Sequence, residues 1–309
     1  MTNIKVLVEL PTWLGDCVMA TPAIEAVIDL YPNADITVLG SSVSVETMLP
    51  HPHVVAGVVL DKSYFTLPRT ARSLGAFDLF LSFRSSKRSS VLKFFVKAKQ
   101  KYQFDKKSYP QGHQVEKYVK FVSDGLGVEL SPRSLKLYAQ GVDKGKRPRL
   151  GINPGASYGS AKRWYPEEFV KVAKQLSDQY DIVIFGGPSE QEMASDIEKG
   201  LIELRVDNYQ NLAGKTSVSE LIGQISSLDL FITGDSGPMH VAAAFQVPTV
   251  AIFGPTKDKE TSQWMNQCSA IVKKGLDCQP CMQRTCPLKH HNCMRLIQAE
   301  DVLEAVKRL

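Results

Sequence analysis

The chain has 309 residues, 43% of them hydrophobic and 22% charged, with a formal net charge of +5. The length suits two domains of about 150 residues each, and the composition excludes a disordered chain. No apolar run approaches the roughly 18 residues that span a bilayer. The first residues read as a strand rather than a signal peptide, which predicts a reducing cytosolic setting and argues against a disulfide framework for the six cysteines. The mildly basic balance admits nucleic acid, an acidic membrane surface or a phosphorylated substrate without choosing among them.

Ile4–Leu10 is a short apolar run rich in β-branched residues and ended by Pro11, and apolar residues at helical spacing follow in "DCVMATPAIEAVIDLYP". The connecting "PTWLGDCVM" places Asp16 at the start of that helix. A carboxylate there is either an N-cap or a base held ready to remove a proton. Asp35–Gly40 and Phe77–Phe83 are further strands. The run Arg84–Lys107 is basic with interleaved aromatics. It reads as a solvated helix face, or as a surface for an acidic headgroup or phosphorylated acceptor. No nucleic-acid motif accompanies it, so nucleic acid is not an expected partner. The polar stretch Ala139–Pro148 marks a boundary, giving domains 1–145 and 146–309.

The pattern then restarts. Arg149–Asn153 is a strand, a long loop carries Ser157, Lys162 and Arg163, and a helix begins at Pro166, where the missing N–H is harmless. Asp181–Gly187 is a strand, followed by Glu190 in "GGPSEQE" and a helix. Ser217 and Glu220 have the spacing of a capping box. The strand "DLFITG", the helix "GPMHVAAAFQ" and the strand "VPTVAIFG" follow, and "QAEDVLEAVKRL" closes the chain as a helix. Such alternation predicts parallel βαβ units, hence two doubly wound α/β domains with ligands held at the strand carboxyl ends, in a cleft between the domains.

Three loops carry groups suited to chemistry. Gly234–Gly237, "GDSG", joins a strand to a helix whose first N–H groups face outward with partial positive charge. Asp235 and Ser236 there are either plain helix caps or a site in which the helix end meets phosphate and Asp235 meets hydroxyls. Lys162 and Arg163 suit a departing diphosphate, or form an exposed basic loop, while the adjacent Trp164 is a packing anchor. Cys278, Cys281, Cys286 and Cys293, with His290 and His291, are of the type that binds structural zinc, or are reduced thiols packing a loop. Cys17 and Cys268 stand alone and are expected in the core. No G-x-G-x-x-G follows the first strand, which argues against a dinucleotide-dependent oxidoreductase.

The stretches "TWLGDCVMATPAI", "NPGASYGSAKRWYPEEF", "NLAGKTSVSELIGQI", "GDSGPMHVAAAFQVPTVAIFGPT" and "CQPCMQRTCPLKHHNCM" occur in that order. Together the chain resembles the bacterial ADP-heptose:lipopolysaccharide heptosyltransferases over nearly its whole length. The Trp-Leu-Gly-Asp start and the Cys/His segment are most like the heptosyltransferase II branch, which adds the second inner-core heptose. The resemblance implies a GT-B fold of two Rossmann-like domains, the first for the acceptor and the second for the ADP-sugar. It implies Asp16 as catalytic base, Lys162 on the diphosphate and sugar, and Ser157, Asp235, Ser236, Gly237 and His240 on the donor, with Glu190 toward the ribose. It further implies an inverting reaction that needs no cofactor or bound metal, ADP-heptose and a lipid A–inner core acceptor as partners, and a peripheral place at the inner face of the inner membrane. Thr12 and Cys17 depart from the Asn and Ala of the commonest form of the first motif, and Val43 to about Ser131 offers no matching motif.

Overall fold

The computed structural model describes residues 3–61, 63–143, 145–155 and 158–309. The chain divides into two units, Met1–Tyr138 and Ala139–Leu309. The first runs β1 (Lys5–Glu9), α1 (Leu14–Leu30), β2 (Asp35–Gly40), α2 (Ser42–Met48), β3 (Val54–Val59), α3 (Leu67–Ser73), β4 (Ala76–Ser82), α4 (Lys87–Phe95), β5 (Lys97–Gln103) and α5 (Gln114–Leu126). Its sheet is parallel throughout in the order β3-β2-β1-β4-β5. Helix α1 is apolar almost all round and buried accordingly, packed against α5. Pro22 lies inside it and cannot donate to the carbonyl of Val18. The Thr21 hydroxyl supplies that bond instead, at 2.7 Å.

The second unit runs β6 (Arg149–Asn153), a 3-10 turn Ser160–Lys162, α6 (Pro166–Leu176), β7 (Asp181–Ile184), a 3-10 turn Pro188–Glu190, α7 (Gln191–Glu203) and β8 (Tyr209–Asn211). It continues through α8 (Val218–Ser226), β9 (Leu230–Gly234), α9 (Gly237–Ala244), β10 (Thr249–Ile252), α10 (Asp258–Thr261), β11 (Ser269–Val272), α11 (Asn292–Arg295) and α12 (Ala299–Val306). The sheet is parallel, in the order β11-β10-β9-β6-β7-β8. Its core joins Leu150, Ile152, Ile184 and Ile232 of the strands to Phe169 and Ile197 of the helices. Trp164 is fully buried there, its indole N–H donating to Ile297 O at 2.9 Å. Pro166 opens α6. Ser217 Oγ accepts from Glu220 N at 3.2 Å and the Glu220 carboxylate accepts from Ser217 N at 2.8 Å, completing the expected capping box.

Each parallel sheet has one place where the strand order reverses, successive strands being added on one side and then on the other: β1 beside β4 in the first, β6 beside β9 in the second. Loops leaving the carboxyl ends of such a pair diverge and open a crevice.

Two expectations need correction. The basic run after Arg84 is only partly helical: α4 ends at Phe95 and the lysine-rich Lys97–Gln103 is the edge strand β5. Charged side chains at an edge block pairing with other strands, so lysine is at home there. Cys268 is exposed rather than in the core, because it stands in the turn before the edge strand β11. Cys17 is buried as expected. Among the described residues no helix is long and apolar enough to cross a membrane.

Candidate active site

The second sheet's reversal point gathers the charged residues. Asp235 follows β9 and is buried. Lys162 Nζ reaches its Oδ2 at 2.6 Å, with side-chain exposures of 13% for Lys162 and 6% for Asp235. The same ammonium donates to the Asp235 backbone oxygen at 3.2 Å. Thr256 Oγ1 donates to the same Oδ2, also at 2.6 Å. Sequence reasoning passed over Thr256. Strand register brings it in: β10 pairs with β9 so that Ile252 faces Gly234, and the Gly-Pro-Thr turn therefore emerges beside the Gly-Asp-Ser-Gly turn.

The plain-cap reading of this turn does not hold. Ser236 occupies the N-cap position of α9 but makes no side-chain cap. Its Oγ accepts instead from Asn153 Nδ2 at 3.2 Å and lies 3.1 Å from Thr233 Oγ1. Both partners sit at strand ends, Asn153 closing β6, so Ser236 is held by the floor of the crevice. Gly237 then begins α9, with His240 buried one turn on. A helix N-terminus beside a fixed cation is an arrangement that attracts anions.

Glu190 enters from the end of β7. Its carboxylate accepts from Gly187 N at 2.7 Å and is buried. It lies against Gly155, where a Cβ would come within 2.1 Å of the carboxyl carbon. Glycine at 155 is what lets the loop after β6 and the carboxylate share this space. Ser157 lies outside the described residues.

Tyr158 was also missed. Its ring lies 4.8 Å below Lys162 Nζ and 5.4 Å from the guanidinium carbon of Arg284. Its hydroxyl donates to Met282 O at 2.7 Å. Ala161 N donates to Arg284 O at 3.0 Å, and His291 bridges Ala161 O at 2.9 Å and the Tyr165 hydroxyl at 3.0 Å. The cysteine-bearing segment therefore braces the Lys162 loop. All four of its cysteines are free thiols, and burial, then the neighbouring Cys281, Cys286 and Cys278, pushes Cys293 up to about 11. Among the described residues no group of three or more histidine, cysteine or carboxylate side chains is arranged to hold a metal ion.

In the first unit Trp13 takes the N-cap position of α1, so Asp16 lies inside the helix's first turn instead of capping it. Negative charge is favoured there. The Asp16 charge adds to burial in pushing up the Cys17 thiol and the Tyr118 phenol. Behind the same strand end, fully buried Glu9 accepts from Ser82 Oγ at 2.6 Å and Ser89 Oγ at 2.9 Å, with Arg84 3.7 Å away. Burial raises its carboxyl above the ordinary value, against the pull of those hydrogen bonds and of Arg84.

Two parallel-sheet α/β units, each with a crevice at the point where its strand order reverses, are the GT-B-like architecture, and the second crevice holds a lysine–carboxylate pair beside a helix N-terminus. The chain belongs to glycosyltransferase family 9 (heptosyltransferase), whose model matches residues 68–292. It is 41% identical to lipooligosaccharide heptosyltransferase 2 of Campylobacter jejuni serotype O:6, over 99% of both chains. It is 28% identical to lipopolysaccharide heptosyltransferase 2 of Escherichia coli K12, over 86% of this chain and 87% of that one. The solved E. coli ADP-heptose LPS heptosyltransferase II has the same fold, with a TM-score of 0.83 at 23% identity over 99% of this chain and 98% of that one.

Proposed function

We propose that this glycosyltransferase moves a heptose from ADP-L-glycero-D-manno-heptose to the first heptose of the lipopolysaccharide inner core, working at the cytoplasmic face of the inner membrane. Full-length relatives with matching names support the substrate pair. The observation that carries the donor half is the buried pair of Lys162 and Asp235 at 2.6 Å, set beside the N-terminus of α9.

In this reading an acceptor hydroxyl attacks the donor's anomeric carbon from the face opposite the diphosphate. The new carbon–oxygen bond forms as the bond to the β-phosphate oxygen breaks, and the configuration inverts. Asp16 takes the hydroxyl proton. Lys162, aided by the first turn of α9 at Gly237, stabilises the charge that collects on departing ADP. Asp235, oriented by Lys162 and Thr256, faces heptose hydroxyls, with Ser236 and His240 alongside. Glu190 meets the ribose. The reaction as written uses no cofactor.

The experiment is turnover of ADP-heptose with a heptose-bearing inner-core acceptor, together with a thermal-shift panel of ADP, GDP, UDP and NAD. ADP alone should stabilise the protein. Lys162→Ala should lower turnover by about 10²–10³, the range for loss of one transition-state charge partner, and Asp16→Asn by about 10²–10⁴, the range for loss of a general base. Near-normal turnover in Asp16→Asn removes that residue as base. A shift with NAD equal to that with ADP removes the donor assignment.

A further inference from the structure

Lys162 carries one positive charge, and Asp235 Oδ2 at 2.6 Å answers it. A departing nucleoside diphosphate brings more than one negative charge. The pair alone leaves that charge uncompensated, so efficient departure calls for a second cation without a carboxylate of its own.

We infer that Arg284 is that cation: a donor-phosphate-binding residue supplied by the cysteine-bearing segment. Three observations meet at it. Its guanidinium and the Lys162 ammonium both lie against the Tyr158 ring, at 5.4 Å and 4.8 Å from its centre, which brings the two cations to one aromatic side chain although they are far apart in sequence. Among the described residues no carboxylate pairs with the guanidinium, and the side chain is exposed, so its donors are open to an anion. Its backbone is tied firmly. Arg284 O accepts from Ala161 N at 3.0 Å, and a Cβ at Gly159 would come within 2.3 Å of that oxygen, so glycine is required for the two segments to approach. Tyr158 is held in turn by its bond to Met282 O at 2.7 Å. An arginine fork stacked on an aromatic ring is pre-organised for two phosphate oxygens, where a lysine offers one point charge.

The inference rests on the ADP-sugar reading, and one experiment separates the two. Calorimetric titration with ADP and with adenosine is run on the wild type, Arg284→Gln and Arg284→Lys. The fold should tolerate both variants, because the bracing bonds from Arg284 use its carbonyl and not its side chain. Arg284→Gln should weaken ADP by about 10- to 100-fold, as expected for a lost hydrogen bond to a charged group, leave adenosine within about twofold, and keep the ligand-free melting temperature. Arg284→Lys should recover part of the ADP affinity. ADP binding by Arg284→Gln within about twofold of wild type overturns the inference while the donor reading stands. Equal weakening of ADP and adenosine also overturns it, showing a role in loop shape alone. A wild type that does not bind ADP overturns both.

Discussion

At the residue scale, one oxygen of Asp235 takes two short hydrogen bonds, from Lys162 and from Thr256. A buried carboxylate stripped of its cation is costly, about 3–5 kcal/mol. Lys162→Met is therefore expected to lower unfolding free energy by about that amount in urea denaturation. Adding Asp235→Asn to it should restore part of the loss, and strict additivity of the two changes would show that the pair is not coupled. Thr256→Val removes a neutral donor to a charged acceptor and should cost about 1.5–3 kcal/mol by the same measurement, with Thr256→Ser close to wild type. The sequence made Lys162 and Asp235 visible because each stands in a glycine-containing loop between a strand and a helix. Thr256, Tyr158 and Arg284 were not visible. Their proximity comes from strand register and from a chain return across more than a hundred residues, and neither leaves a local pattern.

At the element scale, the division between legible and illegible strands follows position in the sheet. Strands β1, β2, β4, β6, β7, β9 and β10 are interior, covered on both faces, and read as apolar runs. The edge strands β3, β5, β8 and β11 did not announce themselves. "KAKQKYQ" in β5 and "YQN" in β8 are only half-buried and put few apolar side chains, Ala98 and Tyr209 among them, against the core, and β3 breaks its run with Gly57. Helix caps were legible only where the side chain does the capping: Ser217 does, Ser236 does not. Where two loops share space, the elements themselves make a prediction. Gly155→Ala drives a Cβ into the Glu190 carboxyl group, and overpacking of this kind costs about 1–3 kcal/mol. Chemical denaturation should show that loss in the wild-type background and a smaller one in Glu190→Ala. An equal loss in both backgrounds would place the strain elsewhere in the loop.

At the scale of the whole molecule, each unit has its own sheet and its own buried cluster, so calorimetry should resolve two unfolding transitions that answer to different ligands. ADP should raise only the transition of the second unit, where Lys162 and α9 lie, by about 2.7 kcal/mol at a hundredfold excess over Kd. Protons should act on the first through an identifiable group. Glu25 of α1 holds His51 Nε2 at 2.7 Å and Lys136 Nζ at 2.9 Å, tying the last residues of that unit back onto its central helix. Burial pushes the Glu25 carboxyl up, but the hydrogen bonds from His51 and Lys136 outweigh it, and the net shift is below the ordinary 4.5. A lowered folded value means that the folded protein holds the ionised form more tightly than the unfolded chain does. The stability it contributes is therefore complete above 4.5 and disappears as pH falls through the lowered folded value. In Glu25→Gln the first transition should start lower at neutral pH and fall less steeply on acidification, while the ADP-responsive transition keeps its position. If both transitions moved together in that variant, the two units would be unfolding as one, and the ADP shift would have to be read as a property of the entire chain.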